Sequence, residues 1–288
     1  MTKDISIVIV TWNSEEEISE CLRGIFTNPA NDYFDHIEAI IIDNASQDNT
    51  INTIESYKKL IDHDIRLIAN KENLGFTRGA NIGLHQARYE TVMILNPDTE
   101  IYKDALVLLH KKLYSDDSIA IVAPQLVYRS KEIQHSCRTL PTYRDMFFEI
   151  FLLSRIFSRS NFFARYKMNN FAHDTEREVE QPMGAALMIK QSVLKEVDYF
   201  DDMYDMFFND VYLCKKVKLA GYKIIFYPTA QIVHRKGISV FKNRAYMISL
   251  WNKDCLRYFK KFHYNIILYP LLFFFLHLSG GVRRLFSR

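Results

Sequence analysis

The 288-residue chain is most informative at first for what it has little of. Glycine and proline are scarce, with nine and seven residues, which excludes collagen-like and low-complexity chains. The four cysteines are widely separated and form no CxxC pair, so we do not expect a structural zinc site. Unpaired cysteines of this kind are typical of proteins in a reducing cytosol. A formal net charge of +3 is too small to indicate nucleic-acid binding.

Long apolar runs are also missing. The longest, residues 266–278, spans roughly thirteen residues, whereas a membrane-spanning helix needs about 17–25. The apolar run near the N-terminus is too short for the core of a signal peptide, so we expect a cytoplasmic protein. Hydrophobic residues nevertheless make up 48% of the chain, enough for a large core, which excludes a mainly disordered state.

Strand and helix patterns alternate through the first half of the chain. Continuous apolar, largely β-branched runs predict strands at residues 5–11, 37–42, 65–69, 91–95 and 119–123. Amphipathic segments between them predict helices, the first beginning after Ser14, the others at residues 50–60, 75–86 and 103–114. Repeated βα units predict an α/β fold with a mostly parallel sheet.

The pattern changes after Pro141. Residues 146–166 are aromatic and basic together, and we weigh a helix pair packed on the core against a surface that meets lipid. Further on, strands are predicted at 185–189, 223–227 and 231–233, and helices at 192–197, 211–220 and from 244 to the end. The apolar run 266–278 is bordered by basic residues, as in interfacial membrane anchors: Lys260, Lys261, Arg283, Arg284 and Arg288. The alternative is that this segment packs as a core helix against the catalytic domain.

Polar loops follow the first four predicted strands, at residues 11–15, 43–46, 70–75 and 96–98. In open α/β sheets, ligands bind beyond the carboxyl ends of the strands, so these loops predict a ligand site. Neither a G-x-G-x-x-G fingerprint nor a P-loop is present, which disfavours an NAD-dependent oxidoreductase. A diphosphate bound there needs another counter-charge, and Asp98 is suited to hold Mg²⁺ or Mn²⁺.

Seven segments in chain order resemble glycosyltransferase family 2, specifically inverting enzymes of the rhamnosyltransferase-like kind used in bacterial surface polysaccharide assembly. The segments are IVIVTWNSEEEISECL, IIDNASQDNT, NLGFTRGANIGL, LNPDT, HDTEREVEQPMGAALMIKQSVLKEVDYFD, FFNDVYLCKKVKLAGYK and YPTAQIVHRKG. The resemblance covers nearly the whole chain. It implies a GT-A fold, with a Rossmann-like sheet flanked by helices and a helical C-terminal appendage.

The resemblance also implies roles for individual residues. Four would contact the base and ribose of the nucleotide: Thr11, Glu15, Asp43 and Asn44. Four would shape the nucleotide-sugar pocket: Asn73, Gly75, Gly79 and Asn81. Asn96 and Asp98 stand in the position of the family's metal-binding Asp-x-Asp, His234 would complete the metal or diphosphate site, and Asp210 would be the catalytic base. From the residues alone, Asp210 could equally be a helix N-cap, His234 a strand-end histidine and Asp43 a turn former.

The segment around Asp210 departs from the family pattern. The common form resembles F-E-D-V-D-L, and here Asn209 and Tyr212 replace two acids. A neighbouring carboxylate would raise the pKa of a base by repulsion. Without one, we expect either that Asp210 is a weaker base or that the acceptor differs from the family's usual one. The same two residues favour an alternative of another class, a catalytically inactive sugar-nucleotide-binding scaffold.

The sequence therefore predicts a metal-dependent inverting glycosyltransferase acting on a saccharide acceptor. The favoured donor is dTDP-L-rhamnose, with a UDP-hexose or UDP-galactofuranose transferase as the alternative. Residues 1–240 would form the catalytic domain, with a nucleotide-binding half (1–125) and an acceptor-side half (126–240). Residues 241–288 would associate with the inner face of the cell membrane, where a lipid-linked saccharide acceptor is available. The oligomeric state is not predicted.

Overall fold

A single nine-stranded sheet organises the fold. A computed structural model describes residues 2–60, 63–235 and 244–285, without the side chains of residues 244 and 282–285. The strands are β1 (Asp4–Thr11), β2 (His36–Asp43), β3 (Asp64–Ala69), β4 (Thr91–Leu95), β5 (Thr99–Ile101), β6 (Ile119–Val127), β7 (Cys137–Arg138), β8 (Arg177–Glu178), β9 (Gln181–Pro182), β10 (Ala186–Lys190) and β11 (Lys223–His234). Two of them, β7 and β9, form a separate two-stranded sheet.

The main sheet runs in the order β3-β2-β1-β4-β10-β6-β11-β5, with β8 added beside β11. The first four strands are parallel, as the alternating βα pattern predicts. Strand β10 lies antiparallel between β4 and β6, while β6 and β11 are parallel to each other. The sheet is thus mostly parallel but continues across one reversed strand.

Helices cover both faces of the sheet. They are α1 (Glu15–Phe26), α2 (Thr50–Leu60), α3 (Gly75–Gln86), α4 (Ala105–Leu113), α5 (Tyr143–Ile150), α6 (Leu153–Ile156), α7 (Gln191–Glu196), α8 (Asn209–Leu219), α9 (Arg244–Phe262) and α10 (Leu268–Leu285), with a 3₁₀ turn at Pro29–Tyr33. Alternate residues of β1 face opposite layers, Ile7 toward α1, α2 and α4, and Val8 toward α3, α7 and α8. Burial on both faces explains why these strands read as continuous apolar runs.

Most predicted elements are present, and the differences have local causes. Strand β5 was not predicted, because three residues directly after a turn give too short a pattern. The two short strands predicted at 223–227 and 231–233 form one strand, β11, with an irregular register between Tyr227 and Gln231. The predicted helix from residue 244 onward is interrupted at 263–267, and residues 286–288 lie outside the described residues.

A third apolar cluster joins the C-terminal helices to the domain. Leu272 and Leu276 of α10 are fully buried and pack with residues of α9, α5 and α8, including Tyr258 and Met146. The Asn252 side chain of α9 also donates a hydrogen bond to the Leu276 carbonyl (2.9 Å). Helix α10 is therefore partly a core element. No helix among the described residues is both long and apolar enough to cross a membrane.

Helix α3 holds the loop that precedes α8. Gly75 has φ of +81°, and a Cβ atom there would lie 2.7 Å from the Asp205 carbonyl oxygen. On the next turns, Asn81 exchanges hydrogen bonds with the Phe200 backbone (2.9 and 3.2 Å) and donates to Asp202 (2.8 Å). The first half of the chain therefore positions the segment that leads to Asp210.

We expect Gly75→Ala to destabilise the protein by more than Gly221→Ala. Both glycines have positive φ, +81° and +89°, but a Cβ at Gly221 would meet nothing within 4 Å. The left-handed conformation costs an alanine about 1–2 kcal/mol at either site, and only at Gly75 is a clash with Asp205 added. Urea denaturation measures the difference, and equal losses in the two variants would contradict close packing at Gly75.

Candidate active site

The loops after β1, β2 and β3 meet at one edge of the sheet, as predicted. The Thr11 hydroxyl donates to the Asp43 carboxylate (3.0 Å), and the Asn70 amide donates to the Asn44 side chain (2.9 Å). Backbone hydrogen bonds from Asn44 to Thr11 and from Asn70 to Asp43 continue the ladder beyond the strands. Their polar side chains thus form one continuous surface at the carboxyl ends of the strands.

Within that edge, Thr11, Asp43 and Asn44 are almost completely buried and are bonded mainly to protein groups. Asp43 also accepts from the backbone N–H and hydroxyl of Ser46 (2.9 and 2.5 Å), as a turn-forming aspartate does. Glu15 is exposed, and its carboxylate accepts hydrogen bonds from Asn49 at the start of α2 (3.2 Å each). These four residues order the edge of the sheet.

The residues expected to shape the nucleotide-sugar pocket, Asn73 just before α3 and three residues within it, lie beside this edge. The Asn44 amide donates to the Gly75 carbonyl (2.9 Å), and Asn73 accepts from the Gly75 N–H (2.9 Å). A Cβ atom at Gly79 would approach Val10 at 3.0 Å and Asn44 at 3.3 Å. Gly79 therefore permits close packing of α3 on the edge. Asn73 holds the first N–H of α3, and the side chain of Asn81 anchors the Phe200 loop.

Asp98 and His234 are brought together from distant parts of the chain. Strand β5 follows Asp98 and pairs with the end of β11, so that Thr99 lies opposite His234. His234 Nε2 is 3.5 Å from Asp98 Oδ1, and the Arg235 N–H donates to the Asp98 carbonyl (3.0 Å). The other ring nitrogen, Nδ1, lies 3.0 Å from the Gln134 side-chain oxygen, which fixes the ring so that Nε2 faces Asp98.

The chemistry of this pair suits a divalent cation, because a carboxylate oxygen and an imidazole nitrogen can both be ligands of divalent transition metals. No group of three or more His, Cys, Asp or Glu among the described residues is arranged to hold a metal ion. Asn96 contributes main-chain contacts here, donating to the Ala185 carbonyl (2.9 Å) and accepting from the Thr99 hydroxyl (2.6 Å). A metal held by Asp98 and His234 would therefore need further ligands from a substrate or water.

Asp210 sits in the first turn of α8, and its carboxylate is tightly held. It accepts hydrogen bonds from the Gln181 amide (2.9 Å), the Gly184 N–H (3.1 Å) and the Val211 N–H (2.8 Å). Burial raises the pKa of Asp210, and these hydrogen bonds to the charged form oppose the rise. Desolvation thus supplies an upward pKa shift at Asp210 without a second acid beside it.

Two hydrogen bonds and two short stretches of backbone connect the Asp210 carboxylate to the turn that carries Asp98. Gly184 donates to Asp210, and the next residue, Ala185, accepts from Asn96, which lies two positions before Asp98. Gly184 also permits the approach, since a Cβ there would lie 3.3 Å from the Asp210 Cβ. The reversed strand β10 therefore places Asp210 at the same sheet edge as the Asp98–His234 pair.

The two residues that replace the family's acids have structural roles. The Asn209 amide donates to the Met206 carbonyl (2.7 Å) and the Thr77 hydroxyl (3.4 Å), which a carboxylate could not do. Tyr212 is buried among aromatic side chains. Its ring centroid lies 5.5 Å from that of Tyr204 and 5.7 Å from that of Phe262. Packing and hydrogen bonding account for both replacements.

Sequence reasoning missed three residues of this site. Gln181 and Gly184 lie inside a segment that resembles the family, but nothing in their spacing indicates contact with Asp210. Gln134 lies 100 positions before His234 and carries no motif. Only the chain's folded path identifies Gln134 as the partner of His234.

The mostly parallel sheet, its helical layers and its polar edge define a GT-A glycosyltransferase, and the protein is an enzyme of that class. The chain belongs to the family described as Glycosyl transferase family 2, whose model matches residues 6–173. That range contains Asp98 but ends before Asp210 and His234.

Relatives of known name support the same family. The chain is 23% identical over 243 residues to the low-salt glycan biosynthesis hexosyltransferase Agl10 of Haloferax volcanii, covering 83% of this chain and 69% of that one. It is 26% identical over 227 residues to the poly-beta-1,6-N-acetyl-D-glucosamine synthase of Staphylococcus epidermidis, covering 78% of this chain. It spans about half (48%) of the length of that synthase.

Among solved structures, the fold is similar to mannosyltransferase PcManGT from Pyrobaculum calidifontis in complex with GDP-Man and Mn²⁺. The TM-score is 0.60 at 18% identity, over 98% of this chain and 72% of the other. It is also similar to GalNAc-T7 with UDP, GalNAc and Mn²⁺, with a TM-score of 0.61 at 15% identity, over 96% and 55% of the two chains. At these identities the likeness concerns the fold.

We expect Asn209→Asp to destabilise the protein near neutral pH by about 1–3 kcal/mol, the cost of leaving a buried polar group unpaired. The carboxylate would lose the bond to Met206 and face its carbonyl oxygen. Its folded-state pKa would be raised, so the deficit should shrink on acidification as the group becomes neutral. Urea denaturation at two pH values tests this, with exposed Asn161→Asp as the matched control. A pH-independent loss would contradict the assigned contact.

Proposed function

We propose that the protein transfers a sugar from a nucleoside-diphosphate sugar to a saccharide hydroxyl, with inversion at the anomeric carbon. The observation that carries the proposal is the short path from Asp210 through Gly184, Ala185 and Asn96 to Asp98. It joins a carboxylate of raised pKa to the Asp98–His234 pair, which we propose binds a cation, at the sheet edge where such folds bind ligands. The family membership supports a transferase of this kind.

In the proposed reaction, Asp210 acts as the general base. The acceptor hydroxyl gives its proton to the carboxylate while its oxygen bonds to the anomeric carbon, and the bond from that carbon to the diphosphate breaks. One displacement from the opposite side inverts the configuration. The raised pKa makes Asp210 a better proton acceptor than an exposed aspartate, and the Gln181 and Gly184 donors keep the carboxylate oriented.

Asp98 and His234 would hold Mg²⁺ or Mn²⁺. When bound, such an ion supplies positive charge that stabilises the leaving diphosphate. His234 is oriented for this role by Gln134, an arrangement typical of metal-ligating histidines. The Mn²⁺ in the titles of the mannosyltransferase and GalNAc-T7 structures supports a divalent metal here.

The donor we favour remains dTDP-L-rhamnose, on the resemblance of the NLGFTRGAN segment and residues 173–180 to rhamnosyltransferases. The named relatives include a hexosyltransferase and structures with GDP-Man or UDP, which support the alternative of a hexose nucleotide. Thr11, Glu15, Asp43 and Asn44 would order the nucleotide site, with Asn73, Gly75, Gly79 and Asn81 shaping its α3 side. Thermal-shift measurements with dTDP-rhamnose, UDP-galactofuranose and UDP-hexoses separate the candidates by the largest stabilisation.

For the acceptor we propose a lipid-linked saccharide at the cytoplasmic face of the membrane, in polysaccharide assembly. The relatives named for glycan biosynthesis and poly-N-acetylglucosamine synthesis support a polymeric or glycan product. The aromatic and basic segment 146–166 and the apolar C-terminal helix support a lipid environment for the acceptor.

We expect Asp210→Asn to lower the transfer rate by about 10²–10⁴-fold, the usual contribution of a general base, while donor affinity changes little. Because burial raises the pKa of Asp210, the acidic limb of the wild-type rate profile should lie above the ordinary aspartate range. Steady-state kinetics and donor titration measure both effects. Exposed Asp198→Asn is the control, and transfer by Asp210→Asn within a few-fold of wild type would refute the role.

We expect Asp98→Ala to weaken binding of the nucleoside diphosphate and to remove its dependence on divalent metal. Calorimetric titration with Mn²⁺ and with chelator measures this, and Asp104→Ala, an exposed carboxylate nearby, serves as the control. If chelator leaves wild-type binding unchanged, the metal role of Asp98 and His234 is wrong. The phosphates would then have to be neutralised by basic side chains such as Arg78.

A further inference from the structure

Two segments far apart in the sequence expose large apolar side chains. On α10, Leu271, Phe274 and Leu278 are 43%, 58% and 55% exposed and recur at helical spacing on one face. Phe151 and Leu152, at the junction of α5 and α6, are about half exposed, and Ile156 of α6 is 68% exposed. Clusters of this kind, unlike single exposed residues, mark interaction surfaces.

The fold joins these segments into one surface. The ring of Phe275 on α10 lies 5.0 Å from that of Phe151 and 6.2 Å from that of Phe147 on α5, measured between centroids. The face of α10 opposite this surface carries the buried Leu272 and Leu276. Helix α10 therefore presents a fixed apolar face and is not a detachable anchor, so its deletion would remove core side chains.

The segments that form this surface, residues 151–156 and 268–285, contain basic and no acidic residues, and the neighbouring Glu149 is paired with Lys167 (2.6 Å). No aspartate or glutamate occurs between residues 150 and 173 or after Asp254. Arg155 and Arg159 are exposed beside Ile156, and Lys260 is exposed at the end of α9. Apolar side chains bordered by basic residues and lacking acids match an anionic bilayer, whose surface attracts basic side chains.

Helix α9 packs both against the segment that carries Asp210 and against α5, next to this apolar surface. Phe208, two residues before Asp210, packs 5.4 Å from Trp251 and 5.6 Å from Tyr258 of α9. Cys255 of the same helix contacts Met146 of α5 (3.9 Å between sulfur atoms). A lipid surface bound by α6 and α10 would thus be held in a set orientation relative to the candidate base.

We propose that Phe151, Leu152, Ile156, Leu271, Phe274 and Leu278 form one docking surface, the α6–α10 surface, for an anionic lipid bilayer. Both segments are needed, since each alone exposes only part of the apolar area. Binding to lipid itself does not depend on the donor or acceptor. Only its use in presenting a lipid-linked acceptor depends on the proposed function.

The test is co-sedimentation of the 288-residue chain with vesicles of phosphatidylcholine alone and with added phosphatidylglycerol. We expect binding to the anionic vesicles, weakened by salt, and little binding to the neutral ones. The double variants Phe151→Ser/Leu152→Ser and Leu271→Ser/Phe274→Ser should each lower the partition coefficient about tenfold or more, since each removes two apolar side chains from the lipid contact. Arg155→Glu/Arg159→Glu should weaken binding to anionic vesicles specifically.

Leu60→Ser is the matched control, because Leu60 is 82% exposed at the end of α2 on another element. It should bind as wild type. The melting temperature of every variant is measured as well, because Phe151 also packs on Phe275, and only variants that remain folded at the assay temperature are compared. Failure of the wild type to bind anionic vesicles would overturn the proposal, as would normal binding by either double variant. Concentration-dependent dimerisation abolished by the same substitutions, without vesicle binding, would assign the surface to a second copy. Donor hydrolysis measured without vesicles tests the proposed function separately.

Discussion

The antiparallel pairing of β10 with β4 is the contact on which the candidate site depends. It places Ala185 opposite Asn96, so the backbone just before β10 reaches the turn that carries Asp98. Because Gly184 has no side chain, α8 can approach this point and set Asp210 against the Gly184 N–H. If β10 continued the parallel order, its start would lie at the opposite sheet edge and Asp210 would be far from Asp98.

Helix α3 supports this arrangement from the other half of the chain. Its glycines allow the edge loops and the Asp205 backbone to come close, and Asn81 holds the Phe200 loop. The α3 residues expected to touch a nucleotide therefore also hold the first half of the chain against the segment that precedes α8. A substitution in α3 would affect both the pocket and the position of Asp210, so activity alone would not separate the two effects.

The environment of Asp210 illustrates how one chemical property can have different physical origins. In the family pattern, a neighbouring acid can raise the pKa of the base by repulsion. Here burial raises it, and three hydrogen bonds limit the rise and orient the carboxylate. Asn209 and Tyr212 take part instead in hydrogen bonding and aromatic packing beside it.

The amino-acid sequence by itself determined the parallel part of the sheet and the edge at which the polar loops lie. Buried parallel strands produce continuous apolar runs, as in 5–11 and 37–42, and the residues after them must emerge at one edge. These signals are local, so they can be read along the chain. The sequence also singled out Asp98, Asp210 and His234, but only by resemblance and not by any indication of proximity.

The tertiary structure alone decided which distant residues meet. Strand β5 is too short to show a pattern, yet its pairing with β11 brings His234 to Asp98. Gln134 acquires its contact with His234, and Gln181 its contact with Asp210, through backbone paths that no local preference encodes. The two-sided character of α10, buried at Leu272 and exposed at Phe274, likewise depends on its neighbours. Hydropathy records how apolar a side chain is, whereas packing decides which side chains it contacts.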